Sequence, residues 1–170
     1  PFVGLAPFDV GQSDVFFGRD KVVADLLDLV RANPLIVVSG ASGTGKSSLV
    51  RAGLTGAIRA TKAYADWTVA IAAPGRDPVA SLVAALAPPG PDSAQWIENG
   101  RTRLDADPAQ AGALAAERMG EGELLLIVDQ FEELFSLCQP EDQDHAARAI
   151  AAIAALPRAH VLVTIRDEHL

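Results

Sequence analysis

Apolar residues recur along this chain at two spacings, which predict helices and strands in alternation. In residues 19–32 they recur every three or four positions, and this spacing predicts an amphipathic helix. Its apolar positions are Val22 or Val23, Leu26, Leu29 and Val30. Asn33 is expected to end the helix, because the residue before a proline is driven out of the α region.

Short, continuous apolar runs predict strands that are buried on both faces of a sheet. The predicted strands are Leu35–Ser39, Trp67–Ala72, Glu123–Val128 and residues 160–165. Helices are predicted after the first strand up to about Ala60, from Pro78 to about Leu86, twice within residues 94–119 and from Pro140 to about Ala155. Asp-Pro pairs at 77–78 and 107–108 are typical of an N-cap followed by proline in the first turn. This alternation predicts an α/β fold with a parallel sheet and right-handed crossovers.

The segment between the first strand and the next helix matches the phosphate-binding pattern G-x-x-x-x-G-K-[ST]. Its glycines allow backbone dihedrals that are closed to other residues, so successive amides can point at one anion. Lys46 would contact the β- and γ-phosphates of a nucleotide, and the Ser47 hydroxyl would bind Mg²⁺. A Gly-rich turn without a ligand is the alternative, but the flanking strand and helix favour the phosphate loop. The candidate nucleotide-binding residues are Gly40, Ala41, Ser42, Gly43, Thr44, Gly45, Lys46, Ser47 and Ser48.

Asp129 follows a continuous apolar run, Leu124–Val128, which has the Walker B form. The carboxylate is expected at the carboxyl edge of the sheet, where ligands bind in open α/β folds. Paired with the upstream phosphate loop, it is a candidate Mg²⁺ ligand together with Ser47. A strand that happens to end in aspartate is the alternative interpretation.

Three further charged residues are candidates for catalysis. Glu132 or Glu133 could orient the attacking water, although either could instead begin a solvated helical turn. Many ATPases carry glutamate directly after the Walker B aspartate, but here that residue is Gln130, which puts efficient hydrolysis in doubt. Arg166 follows the fourth strand and could contact the γ-phosphate; a surface pairing with Asp167 or Glu168 is the alternative.

Composition and charge narrow the classes of function. The chain has 170 residues, typical of one domain, and a net charge of −8, which disfavours nucleic acid as a main partner. No apolar run approaches the roughly 20 residues of a membrane span. Cys138 is the single cysteine, so no intramolecular disulfide is possible and a reducing cytoplasm is expected. It is interpreted as a small buried side chain, with a protease nucleophile as the alternative.

The motifs together resemble the STAND class of P-loop NTPases, signal-transduction ATPases related to AAA+ proteins. The resemblance is closest to the novel STAND NTPase domain, which is often joined to WD40 repeats in bacterial proteins. It extends over nearly the whole chain. The matching residues are Phe16–Asp20, Gly40–Arg51, Trp67 with Pro74-Gly75, Val128–Phe135 and Arg166.

The resemblance implies a fold and several residue roles. It implies a three-layer αβα sandwich in which residues 1–170 are the N-terminal portion of a P-loop nucleotide-binding domain, truncated after the fourth core strand. The resemblance also implies that this fragment lacks the fifth strand and helical lid of the family, and that the strand after the loop lies between the fourth and fifth strands. Phe17, Gly18 and Arg19 would lie near the adenine. Glu132 or Glu133, with Glu133 slightly favoured, would be the catalytic carboxylate, and Arg166 the sensor arginine.

These observations predict an ATP-binding, ATP-hydrolysing switch that uses ATP/ADP and Mg²⁺, is slow or inactive by itself and can self-associate. Sensor and effector domains would lie outside this fragment, whose first residue is Pro1 rather than Met. The alternatives are a nucleotide-binding scaffold without turnover and a small-molecule kinase with Arg101 and Arg103 in its lid. A GTPase is disfavoured because the chain lacks an Asn-Lys-x-Asp motif.

Overall fold

The computed structural model describes residues 20–170 and contains one sheet of four parallel strands. The strands are β1 (Leu35–Ser39), β2 (Trp67–Ala72), β3 (Glu123–Val128) and β4 (Ala159–Ile165). Three of them have the bounds that the apolar runs predict, and β4 begins one residue early. The parallel α/β fold is therefore confirmed.

Most of the helices also lie close to their predicted bounds, but the helix over Glu132–Leu137 is not among the predicted elements. The helices are α1 (Asp20–Ala32), α2 (Lys46–Ser48), α3 (Thr55–Ala60), α4 (Pro78–Leu86), α5 (Ser93–Ala106), α6 (Gln110–Met119), α7 (Glu132–Leu137) and α8 (Pro140–Ala154). The sequence does not predict that the backbone between α2 and α3 is π-helical, over Leu49–Leu54. There the buried Thr55 hydroxyl donates to the Val50 carbonyl five residues earlier, at 3.0 Å.

Only one of the two Asp-Pro pairs caps its helix as predicted. Asp77 accepts a hydrogen bond from the Ala80 amide at 2.9 Å, with Pro78 in the first turn of α4. Asp107 instead accepts a hydrogen bond from the Ala109 amide at 3.0 Å, and α6 begins only at Gln110. Its carboxylate therefore stabilises the turn before the helix rather than the helix itself.

Helices cover both faces of the sheet and form a three-layer arrangement. On one face, alternate β3 residues such as Leu124 and Leu126 pack in a core with buried residues of α4, α6 and α8. On the other, Leu125 and Ile127 pack in a core with α1 and the helical segment after the loop. Because side chains alternate along a strand, β3 needs a continuous apolar sequence to fill both cores.

The apolar face of α1 is narrower than predicted. Val23, Leu26 and Val30 are buried, whereas Val22 is 47% and Leu29 52% exposed. These two residues are seven apart, so they lie along one line at the margin of the buried stripe. None of the helices in residues 20–170 is long and apolar enough to cross a membrane.

The strand order is β1-β4-β3-β2, and it corrects one expectation. The strand after the loop, β2, does not lie beside the fourth strand; it pairs with β3, while β1, which precedes the loop, pairs with β4. The burial pattern gives the reason. All seven residues of β4 are buried, which requires neighbours on both sides, whereas β1 has no buried residue and β2 has only two, so both suit the edges.

Candidate functional site

The loop between β1 and α2 curls at two left-handed glycines. Gly43 has φ 77° and Gly45 φ 87°, values that other residues adopt only with strain. Thr44 closes the turn by donating its hydroxyl to the Ala41 carbonyl at 2.9 Å. Left-handed residues within such a loop create the backbone concavities that bind anions.

Lys46 lies folded over this loop. Its Nζ donates to the carbonyl oxygens of Gly40 at 2.5 Å and Ala41 at 3.0 Å. Both partners are neutral acceptors, and an anionic oxygen would make a stronger, charge-assisted bond. The ammonium group is therefore held above the loop by contacts that a phosphate can replace.

Asp129 is the centre of the site, at the end of β3. It is 0% exposed, and three side chains donate to it. Oδ1 accepts from the Ser47 hydroxyl at 2.9 Å and the Thr164 hydroxyl at 2.6 Å, and Oδ2 accepts from Arg51 Nε at 2.7 Å. A buried carboxylate is tolerated only when it is paired with an opposite charge and hydrogen-bonded. Asp129 has a charged partner in Arg51 and hydroxyl donors in Ser47 and Thr164.

This arrangement fits a magnesium ion that is shared with a nucleotide. Ser47 and Asp129 place a hydroxyl and a carboxylate oxygen side by side, and oxygen ligands are what Mg²⁺ prefers. Residues 20–170 contain no group of three or more His, Cys, Asp and Glu side chains that could hold a metal by themselves. Mg²⁺ needs no such cage, since it typically keeps several waters and takes oxygens from substrate phosphates.

The backbone turns sharply after Asp129. Gln130 has φ 59°, and it is the single non-glycine residue with positive φ in the described part of the chain. Its amide donates to the Thr164 hydroxyl at 2.9 Å, and the Phe131 amide donates to the Thr164 carbonyl at 2.8 Å. Thr164 therefore fixes both the aspartate and the turn that leads into α7.

Glu132 and Arg166 form an ion pair beside this turn. Arg166 Nε lies 2.9 Å from Glu132 Oε1, with the arginine side chain 43% exposed and the glutamate side chain 9% exposed. Arg166 thus pairs with Glu132 rather than with Asp167 or Glu168. The other glutamate oxygen, Oε2, is buried and has no hydrogen-bond partner among the described residues.

Glu133 points to a different part of the sheet. Its Oε2 accepts from the Gly75 amide at 3.0 Å, just after β2. In the strand order β1-β4-β3-β2, β4 adjoins the loop-bearing strand and β2 lies at the far edge. Glu132, tied to the end of β4, is therefore on the side of the phosphate loop, and Glu133 is on the opposite side.

Cys138 is the small buried side chain that the sequence predicts. Its thiol donates to the Gly75 carbonyl at 3.1 Å. Burial raises the pKa of this thiol, and the carboxylates of Asp142, Asp77 and Glu133 raise it further. The reactive thiolate is thus disfavoured, which argues against a protease nucleophile.

Other predicted residues lie away from this cluster or outside it. Arg101 is paired with Asp77 at 2.6 Å, and Arg103 with Glu117 at 2.9 Å, so both arginines already have carboxylate partners. A kinase lid built on them has no support. Phe17, Gly18 and Arg19, which the resemblance places near the adenine, lie outside the described residues.

Sequence reasoning missed two members of the site, Arg51 and Thr164. Each carried a recognisable signal. Thr164 is a polar residue near the carboxyl end of a largely apolar buried strand, and Arg51 is a cation in a stretch, residues 35–65, without aspartate or glutamate. Their common partner, Asp129, lies 78 residues from Arg51 and 35 residues from Thr164 along the chain, so no local pattern could reveal it.

Comparisons with known proteins identify the family of the chain and support its fold. The family model described as novel STAND NTPase 1 matches residues 1–170. No curated protein sequence matches the chain. Among solved structures, the chain is similar to a Walker-type ATPase of Pyrococcus abyssi, with 17% sequence identity and a TM-score of 0.60. The match covers 95% of this chain and 48% of that one, so the chain spans about half the length of the ATPase, and the likeness shows the fold.

Proposed function

Because this chain belongs to the novel STAND NTPase 1 family, we propose that it binds ATP and ADP with Mg²⁺ as the nucleotide-dependent switch of a larger signalling protein. Residues 1–170 would be the N-terminal portion of the P-loop nucleotide-binding domain of that protein. One observation carries the proposal. The buried carboxylate of Asp129 accepts from the hydroxyl of Ser47, which joins the Walker B strand to the phosphate loop at 2.9 Å.

The residues of the loop would bind the phosphates. The backbone amides of residues 40–48 supply neutral donors, and Lys46 would exchange its carbonyl partners for phosphate oxygens. Ser47 and Asp129 would hold Mg²⁺, which neutralises the charge that develops on the phosphoryl group. Each of these side chains already lies at the carboxyl edge of the sheet, so binding requires local rather than global rearrangement.

Glu132 is the better candidate for the water-orienting residue. It lies on the loop side of the sheet, it is buried, and its Oε2 has no partner in the described part of the chain. A water molecule would satisfy that oxygen and be oriented by it. Glu133, which the resemblance slightly favours, already accepts from Gly75 and would anchor the turn after β2.

Arg166 would make the site sensitive to the γ-phosphate. Its exposed guanidinium is paired with Glu132 and can bind a phosphate oxygen when one is present. The loss of that oxygen on hydrolysis would return Arg166 to Glu132 alone. This exchange of partners is the local event through which nucleotide state would control conformation or self-association.

Replacing the loop lysine tests nucleotide binding. Lys46→Ala should abolish most affinity for a fluorescent ATP analogue measured with Mg²⁺, because the lysine supplies a charge-assisted phosphate contact. Lys62→Ala is the matched control, since Lys62 is an exposed lysine in the same acid-free stretch. Equal affinities for parent chain and Lys46→Ala would refute the phosphate-loop assignment.

Neutral replacements of the two glutamates test turnover. In the full-length protein that contains this chain, the Glu132→Gln variant should still bind ATP. It should release phosphate at least about 100-fold more slowly than the parent protein, the range expected for loss of a general base. Glu133→Gln should retain most of the turnover and lose stability instead. The reverse ranking would assign the catalytic role to Glu133.

A nucleotide-binding scaffold without turnover is the second candidate. Gln130 supports it, because its left-handed backbone follows Asp129 directly and its side chain carries no charge with which to activate water. Phosphate release measured under single-turnover conditions separates the two functions. A protein that binds ATP tightly and releases no phosphate would be the scaffold.

A further inference from the structure

Arg51 forms the single ion pair that Asp129 makes in the described part of the chain. Arg51 Nε lies 2.7 Å from Oδ2 of Asp129, whereas both hydroxyl donors use Oδ1. The carboxylate side chain is 0% exposed and the arginine side chain 24% exposed. One oxygen of the candidate metal ligand is thus covered by a fixed positive charge of the protein itself.

A guanidinium and a divalent cation compete for the same carboxylate. Each would be stabilised by the negative charge of Asp129, and each would repel the other at short range in a site of low dielectric. Arg51 has no acidic residue near it in sequence, since residues 35–65 lack aspartate and glutamate. Asp129 is therefore the charge partner that the fold supplies, from 78 residues away.

The placement of Arg51 allows it to leave the carboxylate. Its side chain retains access to solvent, which would hydrate a displaced guanidinium, whereas Asp129 has none. It also lies in the π-helical segment Leu49–Leu54, four residues after Ser47. Ser47, in α2, and Arg51, in the π-helical segment that follows it directly, thus bind the two different oxygens of one carboxylate.

We propose that Arg51 is a resident counter-ion that competes with Mg²⁺ for Asp129, so that binding of the metal–nucleotide displaces the guanidinium from Oδ2. The inference rests on the proposed function. Arg51 is a positioning residue: it stabilises the metal-free site and sets the Mg²⁺ concentration at which nucleotide binds. Its two effects have opposite signs, which a purely structural arginine would not show.

Removing the charge of Arg51 tests this competition. Arg51→Met keeps the aliphatic stem and removes the guanidinium. In chelator, its thermal unfolding midpoint should fall by at least about 5 °C, because a buried carboxylate loses its counter-ion. Yet the Mg²⁺ concentration that half-saturates binding of a fluorescent ATP analogue should fall about threefold to tenfold, since the competing charge is gone.

Three comparison variants keep the test specific. Arg51→Gln is also neutral but keeps a donor for Oδ2, so it should fold even where Arg51→Met does not and should also lower the Mg²⁺ requirement. Arg59→Met removes the same charge from an exposed residue of α3 and should change neither measurement. Asp129→Ala should remove the Mg²⁺ dependence itself.

The outcomes separate this inference from the proposed function. If the parent chain binds no nucleotide, or binds it identically with Mg²⁺ and with chelator, the proposed function fails and this inference fails with it. If the parent binds with Mg²⁺ dependence, and the neutral Arg51 variants need as much Mg²⁺ or more, Arg51 is a structural support and only the competition is overturned.

Discussion

At the scale of single residues, Thr164 joins more of the site than any pattern in the sequence indicates. Its hydroxyl donates to Asp129 at 2.6 Å and accepts from the Gln130 amide at 2.9 Å, and Thr164 is 1% exposed. It thereby aims the candidate metal ligand and also satisfies the amide of a residue with left-handed backbone. A hydroxyl in a buried strand is tolerated because both of its hydrogen-bonding roles are filled.

Thr164→Val should therefore destabilise the chain by about 2–3 kcal/mol, because the isosteric methyl leaves a buried amide and a buried carboxylate short of a partner. Urea-induced unfolding measures the effect. Thr164→Ser keeps the hydroxyl and should cost about 1 kcal/mol, the value of one buried methyl. If Thr164→Val and the parent have the same urea midpoint of unfolding, the hydrogen bonds of the Thr164 hydroxyl with Asp129 and with the Gln130 amide contribute no net stability.

At the scale of elements, the beginning of α4 shows how a local cap can depend on pH. Burial raises the pKa of Asp77, but the hydrogen bonds from Arg101 and the Ala80 amide, with the charge of Arg101, together lower it below the ordinary 3.8. The ion pair with Arg101 adds little to stability, because both side chains are more than a third exposed. The amide bond that caps the helix is the main contribution.

Asp77→Ala should lower the free energy of unfolding by about 1 kcal/mol at neutral pH. A carboxyl with a depressed folded pKa stabilises fully above its unfolded pKa, and that stabilisation is lost as the pH falls through the folded value. The difference between parent and variant should therefore shrink at pH values below 3.8. Asp92→Ala is the matched control, since Asp92 precedes α5 without a side-chain cap bond. An equal loss in both variants would show that the cap is not the cause.

At the scale of the whole molecule, the loop-bearing strand is exposed at one edge of the sheet. Among the described residues, β1 pairs only with β4, and its Leu35 and Val37 are each 51% exposed. Unpaired backbone groups beside apolar side chains favour pairing with another chain. This edge lies directly before the phosphate loop, so association there would affect the site.

The chain is therefore expected to self-associate through β1. Val37→Lys should shift it towards the monomer in sedimentation velocity, because a lysine on an edge strand opposes pairing. Val22→Lys, which replaces a similarly exposed valine on α1, should leave the association unchanged. Association that neither variant alters would involve another surface.

The same exposure predicts slow turnover by this chain alone. Phosphoryl transfer depends on charges that close around the γ-phosphate and on exclusion of water, and β1 lacks a neighbour on one side among the described residues. Phosphate release should fall well below the roughly 1–100 s⁻¹ that is typical of kinases. A monodisperse monomer that hydrolyses ATP within that range would contradict the need for further structure.

The sequence by itself determined the elements and the phosphate loop. Continuous apolar runs, glycine and proline punctuation and the G-x-x-x-x-G-K-[ST] spacing are local patterns, and β1, β2, β3 and every helix except α7 lie close to where these patterns put them. The roles of individual site residues remain predictions until they are measured. The width of the apolar face of α1 and the π-helical segment depended on packing that no local pattern records.

Only the tertiary structure decided which side chains meet. Glu132 and Glu133 are adjacent in sequence, yet one pairs with Arg166 at the end of β4 and the other with Gly75 after β2. Consecutive residues in a helical turn point about 100° apart, so strand order decides what each one reaches. Asp129 likewise gains Arg51 and Thr164 because the parallel sheet brings the ends of β1, β3 and β4 to one edge. Strand order arises from pairing between distant segments, which is why the sequence could propose these residues but not their partners.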